Sequence, residues 1–213
     1  MKFTPDDLLL YAVTDRSWLG DHDLVDQVEE TILAGTTIVQ LREKELSDKD
    51  FLAEAVKIQS VCQKHNIPFI INDNLEVAIA CGADGIHVGQ SDLAANQVRE
   101  RLGKDKIIGV SAQTVEQAIL AEQMGADYLG VGAVFSTSTK LDASDVSFDT
   151  LKQICKAVSI PVVAIGGINA HNLLQLSGSG VNGVAVVSAI FAQNDISKAT
   201  RELRQLAEKM VKA

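Results

Sequence analysis

The sequence predicts a (β/α)8 barrel of the TIM type, an α/β fold with the whole chain, residues 1–213, as one domain. Three observations carry this expectation. Short β-rich runs alternate with helix-period runs from one end to the other, the pattern of a parallel sheet covered by helices. An internal echo, Ala34-Gly35-Thr36, Cys81-Gly82-Ala83-Asp84 and Met124-Gly125-Ala126-Asp127, falls between helix and strand, where Gly suits the left-handed turn that ends a helix. Repeated βα units of roughly 27 residues, eight in all, place the chain close to the lower size limit of such a barrel. An open doubly wound sheet is the alternative.

The eight strands are expected at Leu8 to Thr14, Thr37 to Arg42, Pro68 to Ile71, Gly85 to Val88, Lys106 to Val110, Tyr128 to Val131, Val162 to Ile165 and Gly183 to Val187. Leu24, Val28 and Ile32 mark one apolar face of the first helical run, and Ile196, Ala199, Leu203, Leu206 and Met210 that of the last. Such stripes are core packing against a sheet. No linker, low-complexity tract or charged tail interrupts the alternation.

Composition narrows the function classes. A net charge of −9 argues against nucleic acid as a partner, since affinity there comes from Lys and Arg on phosphates. It leaves room for a phosphorylated small molecule, because charges beyond about 8 Å are screened while local cations act at contact. No apolar run reaches the roughly 18 residues that span a bilayer, so no membrane partner is expected. The start, MKFTPDD, turns acidic where a signal peptide would become apolar, which points to the cytoplasm. Cys62, Cys81 and Cys155 are scattered over helical runs, as befits buried thiols in a reducing compartment. A homo-oligomer is compatible with all of this, and the sequence does not decide it.

In such a barrel the active site lies at the C-terminal ends of the strands. Those positions carry Arg42, Glu43 and Lys44, then Asn72, Asp73 and Asn74, then Gln90 and Asp92, Ser111 and Gln113, Ser136 to Lys140, Gly166 and Gly167, and Ser188. Asp73 and Asp92 follow neighbouring strands, and a hard cation such as Mg²⁺ is held by one or two carboxylates with phosphates and water completing its shell. Each Asp could equally cap the helix behind it, and the two acids alone leave both readings open. Thr137, Ser138, Thr139 and Lys140 offer the hydroxyls, backbone N–H groups and ammonium that suit a phosphate. A second phosphate position is expected after strands seven and eight, at Gly166-Gly167 and Val187-Ser188, where a tight turn is the plainer reading. Two phosphate sites, one of them with carboxylates, imply two phosphorylated substrates. Alternation puts Gln40 and Arg42 on one strand face, which must be the barrel interior if Arg42 is to reach the site. His87, inside the fourth strand, reads as a hydrogen-bonded core residue, and His22, His65 and His171 as exposed. Trp18 either closes the rim or lies on the surface.

Taken together, Gln40-Leu41-Arg42-Glu43-Lys44, Asn72-Asp73-Asn74, Gly85 to Asp92, Gly109-Val110-Ser111-Ala112, Thr137 to Lys140 and Ala164-Ile165-Gly166-Gly167-Ile168 resemble the thiamine phosphate synthase family, from Tyr11 to about Ile190. The resemblance implies a TIM barrel that joins hydroxymethylpyrimidine diphosphate to a thiazole phosphate, forming thiamine phosphate and releasing diphosphate. It implies Mg²⁺ on Asp73 and Asp92, diphosphate contacts from Arg42, Lys44, Asn72 and Lys140, and Gln40 orienting the pyrimidine. It further implies Ser111 beside the reacting centre, and Thr137, Thr139, Gly167, Val187 and Ser188 approaching the thiazole phosphate. Arg42, Ser111 and Lys140 are thus the expected catalytic groups. Gln113 stands where relatives commonly carry His, which weakens a related tautomerase reading, and Ser136 stands where proline is common. The competing classes are a sugar-phosphate epimerase or isomerase, which needs an acid/base pair, and a non-catalytic sensor of thiamine precursors.

Overall fold

The computed structural model describes residues 3–20, 22–89, 95–136 and 146–213. Eight parallel strands close into a barrel in chain order, β1 (Leu10–Val13), β2 (Ile38–Leu41), β3 (Phe69–Asn72), β4 (Gly85–Val88), β5 (Ile107–Ala112), β6 (Tyr128–Val131), β7 (Val162–Ile165) and β8 (Gly183–Val186). β8 returns to β1 with Leu10 beside Val184 and Tyr11 beside Ala185. The open doubly wound alternative is thereby excluded.

Around the barrel lie α1 (Leu24–Ala34), α2 (Asp48–Lys64), α3 (Leu75–Cys81), α4 (Ala95–Leu102), α5 (Val115–Gln123), α6 (Phe148–Ala157), the short α7 (Ser188–Phe191) and α8 (Ile196–Met210). Side chains of Asp23, Ser47, Asn74, Thr114, Ser147 and Asp195 each accept a backbone N–H in the first turn of a following helix, satisfying donors that have no partner inside it. The echo glycines Gly35, Gly82 and Gly125 take positive φ at the helix ends. Between β7 and β8 the expected helix is reduced to a 3-10 turn, Leu173–Leu176. Gly178 and Gly180, both at positive φ, break the run before an α-helix can extend.

The strands are buried on both faces, so each reads as a nearly unbroken apolar run. Leu10 and Ala12 pack outward with the helices, whereas Tyr11 and Val13 join Ile38, Ile70, Tyr128, Val163 and Ala185 inside the barrel. The bottom is closed by a 3-10 turn, Pro5–Leu8, and by Phe3, whose ring lies 5.7 Å from that of Tyr128.

A repeated clasp pins odd strands to the even strands that follow them. Asp84 Oδ2 accepts from Phe69 N at 2.9 Å, Asp127 Oδ2 from Ile108 N at 2.7 Å and Asn182 Oδ1 from Val162 N at 2.9 Å. Thr37 Oγ1 does the same for Leu10 N at 2.9 Å. In each case the clasping residue's own N–H returns to a carbonyl of the odd strand. Arg99 extends one clasp, reaching Asp127 Oδ2 at 2.6 Å and the Gly103 carbonyl at 3.1 Å. These residues sit at the strand beginnings, the stability face of this fold, which leaves the opposite face free to carry chemistry.

Candidate active site

At the strand ends, ion pairs link neighbouring units. Arg42 follows β2; its N–H donates to Thr14 Oγ1 at 3.1 Å, and its guanidinium lies 3.5 Å from Asp15 Oδ2, just past β1. Lys44 Nζ lies 2.9 Å from Asp73 Oδ2, just past β3. Glu43, between the two cations, turns away: its side chain is only 2% exposed and pairs with Arg16, which Glu54 of α2 also contacts. Burial raises the Glu43 pKa and outweighs the pull of Arg16. Burial alone would lower Arg16, but Glu43 and Glu54 more than restore it.

Asp73 caps no helix. Asn74 is the cap of α3, accepting from Val77 N at 3.0 Å. Asp73 instead adopts positive φ, 62°, a conformation Asp tolerates better than most residues. Its N–H donates to the His87 carbonyl at 2.9 Å, which also receives Asn72 Nδ2 at 3.3 Å. So held, the carboxylate faces an open cleft of about 500 Å³ lined in part by Lys44, Asn72 and Asn74. Among the described residues only Lys44 hydrogen-bonds it, through Oδ2, so Oδ1 is left for another partner. The capping reading thus fails for Asp73. Asp92, Thr137, Thr139 and Lys140, with Gln90 and Ser138, lie outside the described residues. Among the described residues no cluster of three or more His, Cys, Asp or Glu could hold a metal by itself.

Inside the barrel, Gln40 is 6% exposed and its Nε2 donates to the Tyr11 hydroxyl at 2.8 Å. Ser111 lies within β5, which runs one turn of the pleat longer than its apolar pattern suggests. Its Oγ is 3.0 Å from His87 Nε2, and His87 Nδ1 is 3.0 Å from the Tyr128 hydroxyl. Gln40, Arg42, Lys44, Asn72, Asp73 and Ser111 therefore gather at and just below one mouth.

Gly166 and Gly167 end β7 at φ 101° and 65°. A Cβ on Gly167 would stand 2.5 Å from the Ser136 carbonyl oxygen and 2.7 Å from that of Phe135. Close packing of the loop after β6 against this turn is reason enough for the glycines. Val187 and Ser188, at the start of α7 on the adjoining strand, complete that side of the rim. Gln113 is turned to backbone, with Nε2 3.4 Å from the Gly132 carbonyl. Trp18 is exposed in the turn after β1, and His22 and His171 are exposed as expected. His65 is half-buried, 2.8 Å from Glu29, because the end of α2 packs beside α1. The cysteines are all free, and burial raises the Cys155 thiol to about 11.

Reading strand ends misses Asp15, Arg16 and Glu54, although Asp15 follows β1 just as Asp73 follows β3. It also misses both tyrosines, Tyr11 within β1 and Tyr128 at the start of β6, which look like core.

Comparison with known proteins gives the arrangement a family. Residues 10–190 match the family described as thiamine monophosphate synthase. The thiamine-phosphate synthase of Ruminiclostridium cellulolyticum is 53% identical over 200 residues, covering 94% of this chain and 95% of that protein. The one from Clostridium botulinum is 50% identical over 204 residues, covering 96% of each. The solved thiamine phosphate pyrophosphorylase from Pyrococcus furiosus has a TM-score of 0.90 at 36% identity, over 97% of this chain and 98% of that one. The matched segment runs from the first residue of β1 into α7, and over that span the chain belongs to the thiamine monophosphate synthase family.

Proposed function

We propose that the chain joins hydroxymethylpyrimidine diphosphate to hydroxyethylthiazole phosphate, forming thiamine phosphate and releasing diphosphate with the help of Mg²⁺. The bond from the pyrimidine methylene to the diphosphate oxygen breaks, and its electron pair leaves with the diphosphate. The electron-rich aminopyrimidine ring carries the cation left on the methylene. The thiazole nitrogen then donates its lone pair to that carbon, so no proton changes hands and no enzyme nucleophile is consumed.

The main support is the Lys44–Asp73 pair at 2.9 Å, a cation and an acceptor-only carboxylate fixed side by side at the mouth. Asp73 presents a spare oxygen to an open cleft, the kind of hard ligand Mg²⁺ takes. Asp73 and Asp92 would hold the ion, which when bound neutralises charge developing on the leaving diphosphate. Arg42 and Lys44, with Asn72 and Lys140, supply fixed donors to the same oxygens, stabilising charge where it appears. Asp15 steadies the Arg42 guanidinium. Gln40 and Ser111 bear on the pyrimidine and reacting carbon, while Thr137, Thr139, Gly167, Val187 and Ser188 receive the thiazole phosphate.

Mixing both substrates with Mg²⁺ tests this directly. Diphosphate and thiamine phosphate should appear in equal amounts, and EDTA or omission of either substrate should stop both. Diphosphate release from one substrate alone, or undiminished turnover in EDTA, would contradict the proposal.

A further inference from the structure

The two substrate-facing residues inside the barrel, Gln40 and Ser111, are the ends of one hydrogen-bonded chain. Gln40 Nε2 donates to Tyr11 at 2.8 Å, and the Tyr11 and Tyr128 hydroxyls are 2.8 Å apart. Tyr128 is 3.0 Å from His87 Nδ1, and His87 Nε2 is 3.0 Å from Ser111 Oγ. The chain crosses the barrel from β2 through β1, β6 and β4 to β5.

Space for it is built in. A Cβ on Gly109 would overlap the Tyr128 ring and hydroxyl and stand 2.5 Å from His87 Nδ1, and one on Gly130 would stand 2.9 Å from His87 Cε1. Tyr11 and Tyr128 are 1% and 0% exposed. Burial raises the pKa of both phenols, so each keeps its single proton.

Those single protons give the chain a direction. Tyr11 accepts from the Gln40 amide, so its own proton must go to Tyr128 or to no partner among the described residues, and a buried hydroxyl left without an acceptor is unfavourable. Tyr128 must then donate to His87 Nδ1, which places the imidazole proton on Nε2, pointing at Ser111 Oγ.

We infer that Tyr11, Tyr128 and His87 are positioning residues: a one-way hydrogen-bond chain that holds the Gln40 amide with Oε1 turned away from Tyr11 and keeps His87 a donor to Ser111. Gln40 thereby offers an acceptor to an amino-substituted ring, a statement that rests on the proposed substrate. His87 cannot take a proton from Ser111 in this state, so the Ser111–His87 pair is not a nucleophile and its base, despite a spacing that suits one.

The test reads the proton itself. In ¹⁵N-histidine NMR of the intact protein, assigned by replacing His22, His65 and His171 in turn, His87 should carry its proton on Nε2 and a bare Nδ1. A proton on Nδ1 would overturn the inference. Tyr11→Phe leaves His87 Nδ1 as the acceptor for the Tyr128 proton, so the Nε2 tautomer should persist while the Gln40 amide loses its anchor. It should also raise KM for the pyrimidine diphosphate about tenfold, the weight of one lost hydrogen bond, while KM for the thiazole phosphate stays unchanged. An unaltered pyrimidine KM in Tyr11→Phe would also overturn it. A protein that turns over no pyrimidine diphosphate would sink the proposed function, and the position of the His87 proton would still decide for or against the chain.

Discussion

Asp73→Asn should lower turnover about a thousandfold while leaving the fold intact, in line with losing a group that stabilises transition-state charge. Asparagine is the informative replacement. It keeps the size of the side chain and tolerates the positive φ of 62°, so backbone strain does not enter the comparison. The helix cap is also untouched, because Asn74 provides it. What disappears is the negative charge, and with it the Lys44 ion pair, whose partners are 54% and 34% exposed in their side chains. An exposed pair of that kind contributes at most about 1 kcal/mol to stability. Initial rates at saturating substrates, beside urea denaturation of the same protein, check both halves. A variant that loses stability in proportion to its activity would mean that Asp73 is structural.

Gly109→Ala should be strongly destabilising, costing about 3 kcal/mol or more. The new Cβ would occupy space taken by the Tyr128 ring and hydroxyl. Tyr128 cannot simply withdraw, because Phe3 packs on its ring at 5.7 Å and Tyr11 at 6.0 Å. Displacing it breaks the bonds to His87 and Tyr11 and leaves buried hydroxyls unpaired. Gly130→Ala, whose tightest contact is 2.9 Å to a single ring carbon, should cost less. Urea midpoints of the two variants against the parent protein test the order, and equal stability would show that the barrel interior can yield.

Much of the barrel is legible in the sequence because all eight strands are short apolar runs bounded by helix-ending glycines and polar turns. β4, β6 and β7 start and stop where that pattern does. The connection between β7 and β8 departs from it, since the segment rich in serine and glycine after Leu176 cannot sustain helix. Much of the rim is legible for a different reason: strand direction sends the residue after each strand to one mouth, so Arg42, Lys44 and Asp73 are brought together by topology alone. The interior chain is invisible to such reasoning. Tyr11 and Tyr128 are 117 residues apart in sequence, and each in its own strand looks like one more core aromatic. Their pairing follows from barrel closure and from Gly109, which makes room for the Tyr128 ring. Asp15 could have been read from its place after β1, by the logic that singles out Asp73.

The proposal that Asp73 and Asp92 share a metal is most directly tested by titrating the protein with Mn²⁺ in the presence of inorganic diphosphate and following the free ion by electron paramagnetic resonance. One tightly bound Mn²⁺ per chain is expected, its affinity falling steeply in both Asp73→Asn and Asp92→Asn and changing little in Asn74→Ala. Undiminished Mn²⁺ binding in either aspartate variant would contradict a cation held between the third and fourth strand ends.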